Sequence, residues 1–170
     1  MRRARTLHTS RRSAVVALDP AATWAVVASG RSGTQWYVDA APLVVRRWID
    51  RLALGPALRR EPPGRPLLAA GDEVGFWKVT EADRGSRHLV LVAQVRSPGR
   101  VTLEVRARPH PEGTEVELAV SLSPRGLVGR AYELVDLPAR EAVSELLMLH
   151  LLTILRRQDN PGDAGSVDQV

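Results

Sequence analysis

Cysteine is absent from the 170 residues, lysine occurs once, at Lys78, and aromatic side chains make up only 4% of the chain. Without thiols there is no disulfide framework and no thiolate metal site, so stability must come from buried apolar surface, which a chain of this length supplies as one domain. Long hydrophobic runs are missing as well. The most apolar stretch, Leu146 to Leu155, is far shorter than the roughly 20 residues of a membrane-spanning helix. The basic N-terminus has an apolar segment only from Ala14 to Leu18, with no small-residue cleavage site after it. A secretory signal is therefore not expected, and a soluble, cytoplasmic protein is. There is no G-x-S-x-G and no G-x-G-x-x-G, which removes the usual marks of a serine hydrolase and of a dinucleotide site.

The formal charge of +5 raises the question of nucleic acid, because clustered basic side chains attract phosphate. Their distribution argues against it. Four arginines stand within the first eleven residues, and the others are interspersed with Asp and Glu. No recognised motif or series of stacking aromatics accompanies them. Arginine in place of lysine, with abundant Ala, Val, Leu and Gly, fits a bias towards GC-rich codons equally well. No nucleic-acid partner and no membrane partner are expected.

Read for organisation, residues 1–10 form a flexible basic arm, 159–170 a disordered polar Gly/Pro/Asp tail, and 11–158 the folded domain. A first strand is predicted over Arg12 to Leu18. Asp19-Pro20 then supplies an N-cap and a proline at the first helical position, opening a short helix through Trp24 to Ala28. A second helix is predicted from Trp36 to Leu54, where Leu43, Trp48, Ile49 and Leu52 recur at helical spacing; Gly55-Pro56 stops it and EPPGRP marks a loop. Four strands follow, at Glu73 to Thr80, His88 to Val95, Val101 to Arg108 and Thr114 to Leu122, separated by DRGSR, SPG and PHPEG. In the last two, Val101, Leu103, Val105 and Ala107 and then Val116, Leu118, Val120 and Leu122 alternate with polar residues, so one face is buried and one is wet. The cover is a C-terminal helix opened by Pro138 and running from Ala139 to Arg157, apolar nearly all round between Leu146 and Leu155 and so requiring burial on more than one side. The fold class is α+β. The order of strand, two short helices, antiparallel meander and long helix is the helix-grip order, a curved sheet wrapped around the C-terminal helix.

On these residues the chain resembles an uncharacterised domain-of-unknown-function family of the START-like, SRPBCC-type helix-grip superfamily, often found behind an NAD-dependent-epimerase-like domain. The pieces that carry the resemblance are Trp24, GTQWY (Gly33 to Tyr37), RRWIDRLALGPALRR (Arg46 to Arg60), GDEVGFWKV (Gly71 to Val79), SPGRVTLEV (Ser97 to Val105) and SPRGLVGRAYELVDLP (Ser123 to Pro138). It departs from the family pattern at Glu133, Leu134, Ala139 and Arg140. The resemblance implies a cavity between sheet and C-terminal helix for a lipid-like, polyketide-like or other hydrophobic molecule. Relatives in that superfamily include carriers, cyclases, aromatases, hydrolases and oxygenase domains, so the fold alone leaves function open.

Candidate residues are weighed against their structural roles. His8, His88, His110 and His150 fall in an arm, a strand start, a turn and a helix, without metal-ligand spacing, so neither metal nor cofactor is expected. His150, the titratable group within the apolar run of the last helix, is either a satisfied or subunit-facing histidine or a general acid/base in the cavity. Tyr132 is either a core tyrosine or a hydroxyl that binds a substrate carbonyl. Phe76 and Trp77 are predicted on opposite faces of one strand, one of them facing the ligand. Trp36, Tyr37, Leu103, Met148 and Leu151 are the remaining candidate ligand contacts. Arg46 and Asp50 read as an i, i+4 surface pair or, as the alternative, as a pair facing the pocket, and Glu104 as solvated or paired across strands with an arginine. Two functions stay open: a binding or carrier module, and a cofactor-independent cyclase, dehydratase or isomerase acting on a polyketide-like intermediate. The excess apolar surface of the last helix also suggests a homodimer.

Overall fold

The computed structural model describes residues 8–33, 35–39, 60–94, 99–124 and 126–159. In chain order these form β1 (His8–Val16), α1 (Pro20–Val27), β2 (Ser29–Gly30), α2 (Trp36–Asp39), β3 (Arg65–Leu67), β4 (Glu73–Val74), β5 (Trp77–Asp83), β6 (His88–Ala93), β7 (Gly99–His110), β8 (Gly113–Pro124) and the long helix α3 (Gly126–Asp159). Six strands make one antiparallel sheet in the order β1-β8-β7-β6-β5-β4, while β2 and β3 pair as a separate ribbon. Helix α3 packs across the sheet, as the helix-grip order predicts. Among the described residues no helix is long and apolar enough to cross a membrane.

Pairing and alternation together place the core. Ala107 stands opposite Val116, Val105 opposite Leu118 and Leu103 opposite Val120, and the next strand adds Leu89 across from Val105 and Leu91 across from Leu103. All eight side chains are buried. Because side-chain direction repeats every two residues, this register puts these eight side chains on the face that α3 covers, while Val90, Val92 and Ala119 fall on the opposite face with Glu104 and Thr102. Helix α3 answers with Leu147, Met148, Leu151, Leu152 and Leu155, a stripe at i, i+4, i+8 spacing that belongs to the same core cluster. A clamp at the sheet edge holds the helix in place: Arg12 on β1 bonds Glu145 at 2.8 Å and also Glu141, which accepts a further hydrogen bond from the Ser10 hydroxyl. These two carboxylates raise the Arg12 guanidinium above its ordinary value, chiefly through their hydrogen bonds.

Several expectations need correction. Strand β1 begins at His8, inside the segment read as a flexible arm, because residues 8–10 find partners in Ser121, Val120 and Leu122 of β8. Helix α3 begins at Gly126 rather than at Pro138; proline marks a first turn by preference, yet it is tolerated inside a helix when the rest of the element is held by packing. Nor is α3 buried all round: Leu149 is 52% exposed, so one stripe faces the sheet and the opposite side faces outward. The run from Glu73 to Thr80 is not one strand. A two-residue turn at Gly75-Phe76 joins β4 to β5, with Val74 opposite Trp77 and Gly75 in the left-handed region at φ 59°. Arg65 and Pro66, the end of the EPPGRP loop, belong with Leu67 to β3, which pairs with β2. Of the predicted second helix only Trp36–Asp39 is described; the remainder, with Arg46 and Asp50, lies outside the described residues, as do residues 95–98 of the SPG turn and the tail beyond Asp159.

Two turns carry sharp constraints. Gly113, in the β7–β8 turn, has φ 129°, and a Cβ there would lie 2.2 Å from the carbonyl oxygen of Val16. Gly113→Ala is expected to cost about 3 kcal/mol, measurable by urea denaturation; a loss under about 0.5 kcal/mol would show that the neighbouring loop moves aside at little cost. In the β5–β6 turn the Asp83 carboxylate accepts from the Ser86 hydroxyl at 2.6 Å and the Gly85 amide at 2.8 Å. Those two bonds, the hydroxyl first, hold its carboxyl below the ordinary value. The folded state favours the ionised form, so this stabilisation is complete above the ordinary carboxylate range and disappears as the pH falls through the lowered value. Asp83→Ala should lower Tm by a constant amount at neutral pH, with the gap to wild type closing below about pH 4. A gap unchanged down to pH 2 would mean the carboxylate charge plays no part.

Candidate functional site

A cleft of about 720 Å³ opens where α1, the β2–β3 ribbon, the start of α2, the β5–β6 turn and the end of α3 meet. Its volume lies in the roughly 300–1,000 Å³ range of small-molecule sites. The apolar wall includes Trp24 and Val26 from α1, Trp36 from α2, Leu67 from β3 and Ile154 from α3. Local chemistry fixes this wall. Asp19 caps α1 by accepting from the Ala21 and Ala22 amides at 2.8 and 3.0 Å, which sets the helix phase that places Trp24. Trp36 is held by its indole N–H, which donates to the Val27 carbonyl at 3.0 Å, and by an edge-to-face contact with Tyr37 at 5.5 Å between ring centroids. The Tyr37 hydroxyl in turn donates to the Ser29 carbonyl at 2.6 Å, and the Gln35 amide to the Arg31 carbonyl at 2.7 Å. The indole N–H of Trp24, by contrast, is buried with no hydrogen-bond partner.

Three arginines, Arg31, Arg84 and Arg87, line the same cleft, and no carboxylate is among its described lining residues. Arg11, Arg12, Arg60, Arg65, Arg106 and Arg108 each pair with Asp or Glu. The cleft arginines make no ion pair among the described residues. Two of them sit on the β5–β6 turn that Asp83 organises. Arg87 is, among the described residues, the non-glycine residue held at positive φ, 50°, with its carbonyl accepting from the Ala107 amide at 3.1 Å. A long side chain in the left-handed region costs stability and persists only where surrounding bonds enforce it.

The residues singled out in the sequence fall into several environments. Trp36 lines the cleft. Tyr37, Trp77, Leu103, Met148 and Leu151 belong to the buried core cluster, where the Trp77 indole donates to the Tyr37 carbonyl at 2.8 Å. Phe76 lies in the β4–β5 turn and stacks at a tilt on Trp77, 4.7 Å between centroids, so the two do not occupy opposite faces of one strand. His150 sits on the flank of the α3 stripe, and its Nε2 is buried without a hydrogen-bond partner. Helix α3 passes through Tyr132, whose side chain lies outside the described residues.

On the wet face of the sheet, His88 bridges two carboxylates, Nδ1 to Glu81 at 2.7 Å and Nε2 to Glu104 at 2.8 Å, and Arg106 binds Glu104 at 2.7 Å. Glu104 thus pairs across strands with a histidine and along its own strand with an arginine. This cluster ties β5, β6 and β7 together. Among the described residues no group of three His, Asp or Glu side chains is placed to hold a metal ion. The three cleft arginines carry no signal in the sequence that marks them as a site: DRGSR, with Arg84 and Arg87, reads as a turn, and Arg31 stands apart after the first helix.

No curated protein matches the chain. Among solved structures, TTHA0849 from Thermus thermophilus superposes with a TM-score of 0.51 at 13% identity, covering 89% of this chain and 99% of that one. The Zhui aromatase/cyclase from Streptomyces sp. R1128 gives 0.47 at 17% identity over 94% and 99% of the two chains. A polyketide_cyc-like protein from Corynebacterium glutamicum gives 0.46 at 14% identity over 95% and 97%. The first is a likeness of fold, and the other two are weaker. A family profile described as a protein of unknown function, DUF2867, matches residues 3–145. With the greater part of its length accounted for by that match, the chain belongs to the DUF2867 family.

Proposed function

We propose that this protein binds a hydrophobic small molecule in the cleft between α1, the β5–β6 turn and the end of α3. One observation carries the reading: two tryptophans and three aliphatic side chains wall an open space of about 720 Å³ whose shape is set by the capped helix α1 and by hydrogen bonds that hold Trp36. A folded domain gains by closing such a space unless something else fills it, and flat aromatic walls favour apolar or planar guests. The neutral dye Nile red is expected to bind one equivalent with a Kd in the micromolar range. Ala25 lies on the exposed side of α1 and lines the cleft, so Ala25→Trp should fill the space and weaken dye binding by about tenfold or more, with Tm within a few degrees of wild type. Undiminished dye binding by that variant would place the apolar site elsewhere.

The second reading, a cofactor-independent cyclase, dehydratase or isomerase on a polyketide-like intermediate, is favoured by the Nε2 of His150, a buried nitrogen without a partner. An unsatisfied polar atom in the interior costs about 1–3 kcal/mol, and a proton donor or acceptor kept at that cost suits acid–base chemistry; His150 does not line the cleft, so this chemistry requires a molecule that reaches past the cleft to His150 on α3. His150→Leu is expected to raise stability by about 1 kcal/mol and, if the enzymatic reading is right, to abolish turnover of a polyketide-like test substrate while leaving its binding intact. Turnover that survives the substitution would remove the support for catalysis.

A further inference from the structure

The apolar wall accounts for only part of the cleft. Charge is distributed unevenly around it, with three arginines and no described carboxylate, whereas Arg11, Arg12, Arg106 and Arg108 on the sheet each pair with a glutamate. Unpaired guanidinium groups that share one concave site repel each other, and an oxyanion placed among them relieves that repulsion while accepting charge-assisted hydrogen bonds. Two of the three are held on a turn stiffened from within: Asp83 accepts from Gly85 and Ser86, and Arg87 takes a left-handed backbone. Preorganised donors bind an anion without first ordering a loop. Arg31 approaches from the β2 side, where its carbonyl is tied by Gln35.

We infer that the ligand is an amphipathic anion: its apolar body packs against Trp24, Trp36 and Ile154, and a carboxylate or phosphate group is held by Arg31, Arg84 and Arg87. This assignment rests on the hydrophobic site proposed above and adds the chemical class of its occupant.

Calorimetric titration of the full chain with decanol, decanoate, decyl phosphate and inorganic phosphate separates the two parts. One or both of the charged ten-carbon probes should bind about tenfold more tightly than decanol, and whichever is preferred identifies the head group. The advantage should shrink in about 1 M salt, where screening acts within a few ångströms. In an Arg84→Gln/Arg87→Gln double variant the affinity for the anions should fall towards that for decanol, while decanol binding stays unchanged. Equal binding of decanol and the anions by the wild-type protein overturns the anion and leaves the apolar site standing. Inorganic phosphate bound as tightly as decyl phosphate also overturns the assignment, since the arginines would then hold a free ion without the apolar wall. Failure of all four probes to bind overturns both the anion and the hydrophobic site.

Discussion

The fit of the α3 stripe into the curved sheet is the contact on which the other elements depend. Leu147, Met148, Leu151, Leu152 and Leu155 meet the apolar face built by Leu89, Leu91, Leu103, Val105, Leu118 and Val120. Burying each such side chain fully is worth about 1.5–3 kcal/mol. No other described element presents a matching surface large enough to cover a six-stranded antiparallel sheet, and without that cover the meander would leave its apolar side in water. The Ser10, Arg12, Glu141 and Glu145 cluster fixes where along the sheet edge the helix lies. As an exposed set of ion pairs it contributes to position more than to stability.

Once that helix is seated, the cleft follows from what lies beside its C-terminal end. Helix α1 rests against α3 and the sheet, and together with the β2–β3 ribbon and the β5–β6 turn it borders an open space. The polar chemistry of this region is divided between two carboxylate-rich clusters elsewhere on the sheet and an arginine-rich rim here. His88, Glu81, Glu104 and Arg106 pair with one another on the wet face; Arg31, Arg84 and Arg87 make no ion pair among the described residues. The same hairpin that carries His88 at its strand end thus carries at its turn two cations without an ion pair among the described residues.

Period-two alternation in β7 and β8 was legible because each strand has one wet face, and that pattern survives any change in register by two. The N-cap at Asp19-Pro20 was legible because capping is a local event. Elements that rely on distant partners were less so. Residues 8–10 become strand only because β8 extends far enough to pair with them, and Arg65 to Leu67 only because β2 lies alongside. Pro138 misleads because it is a start signal standing where the helix is already under way. The rule that puts Phe76 and Trp77 on opposite faces holds inside a strand, and a glycine turn between Val74 and Trp77 suspends it. Candidate contacts chosen for size and apolarity fall mostly in the buried core cluster, since size and apolarity suit a core as well as a ligand wall.

The amino-acid sequence by itself determined the class of fold, the wet and buried faces of the meander and the helix that covers them, because periodicity and capping are encoded within each element. Tertiary structure decided which side chains border open space and which cations lack partners. That choice depends on where the ends of α1, α3 and the β5–β6 turn come together, a matter of packing between segments far apart in the chain. No spacing of residues along it records which of its arginines will meet a carboxylate.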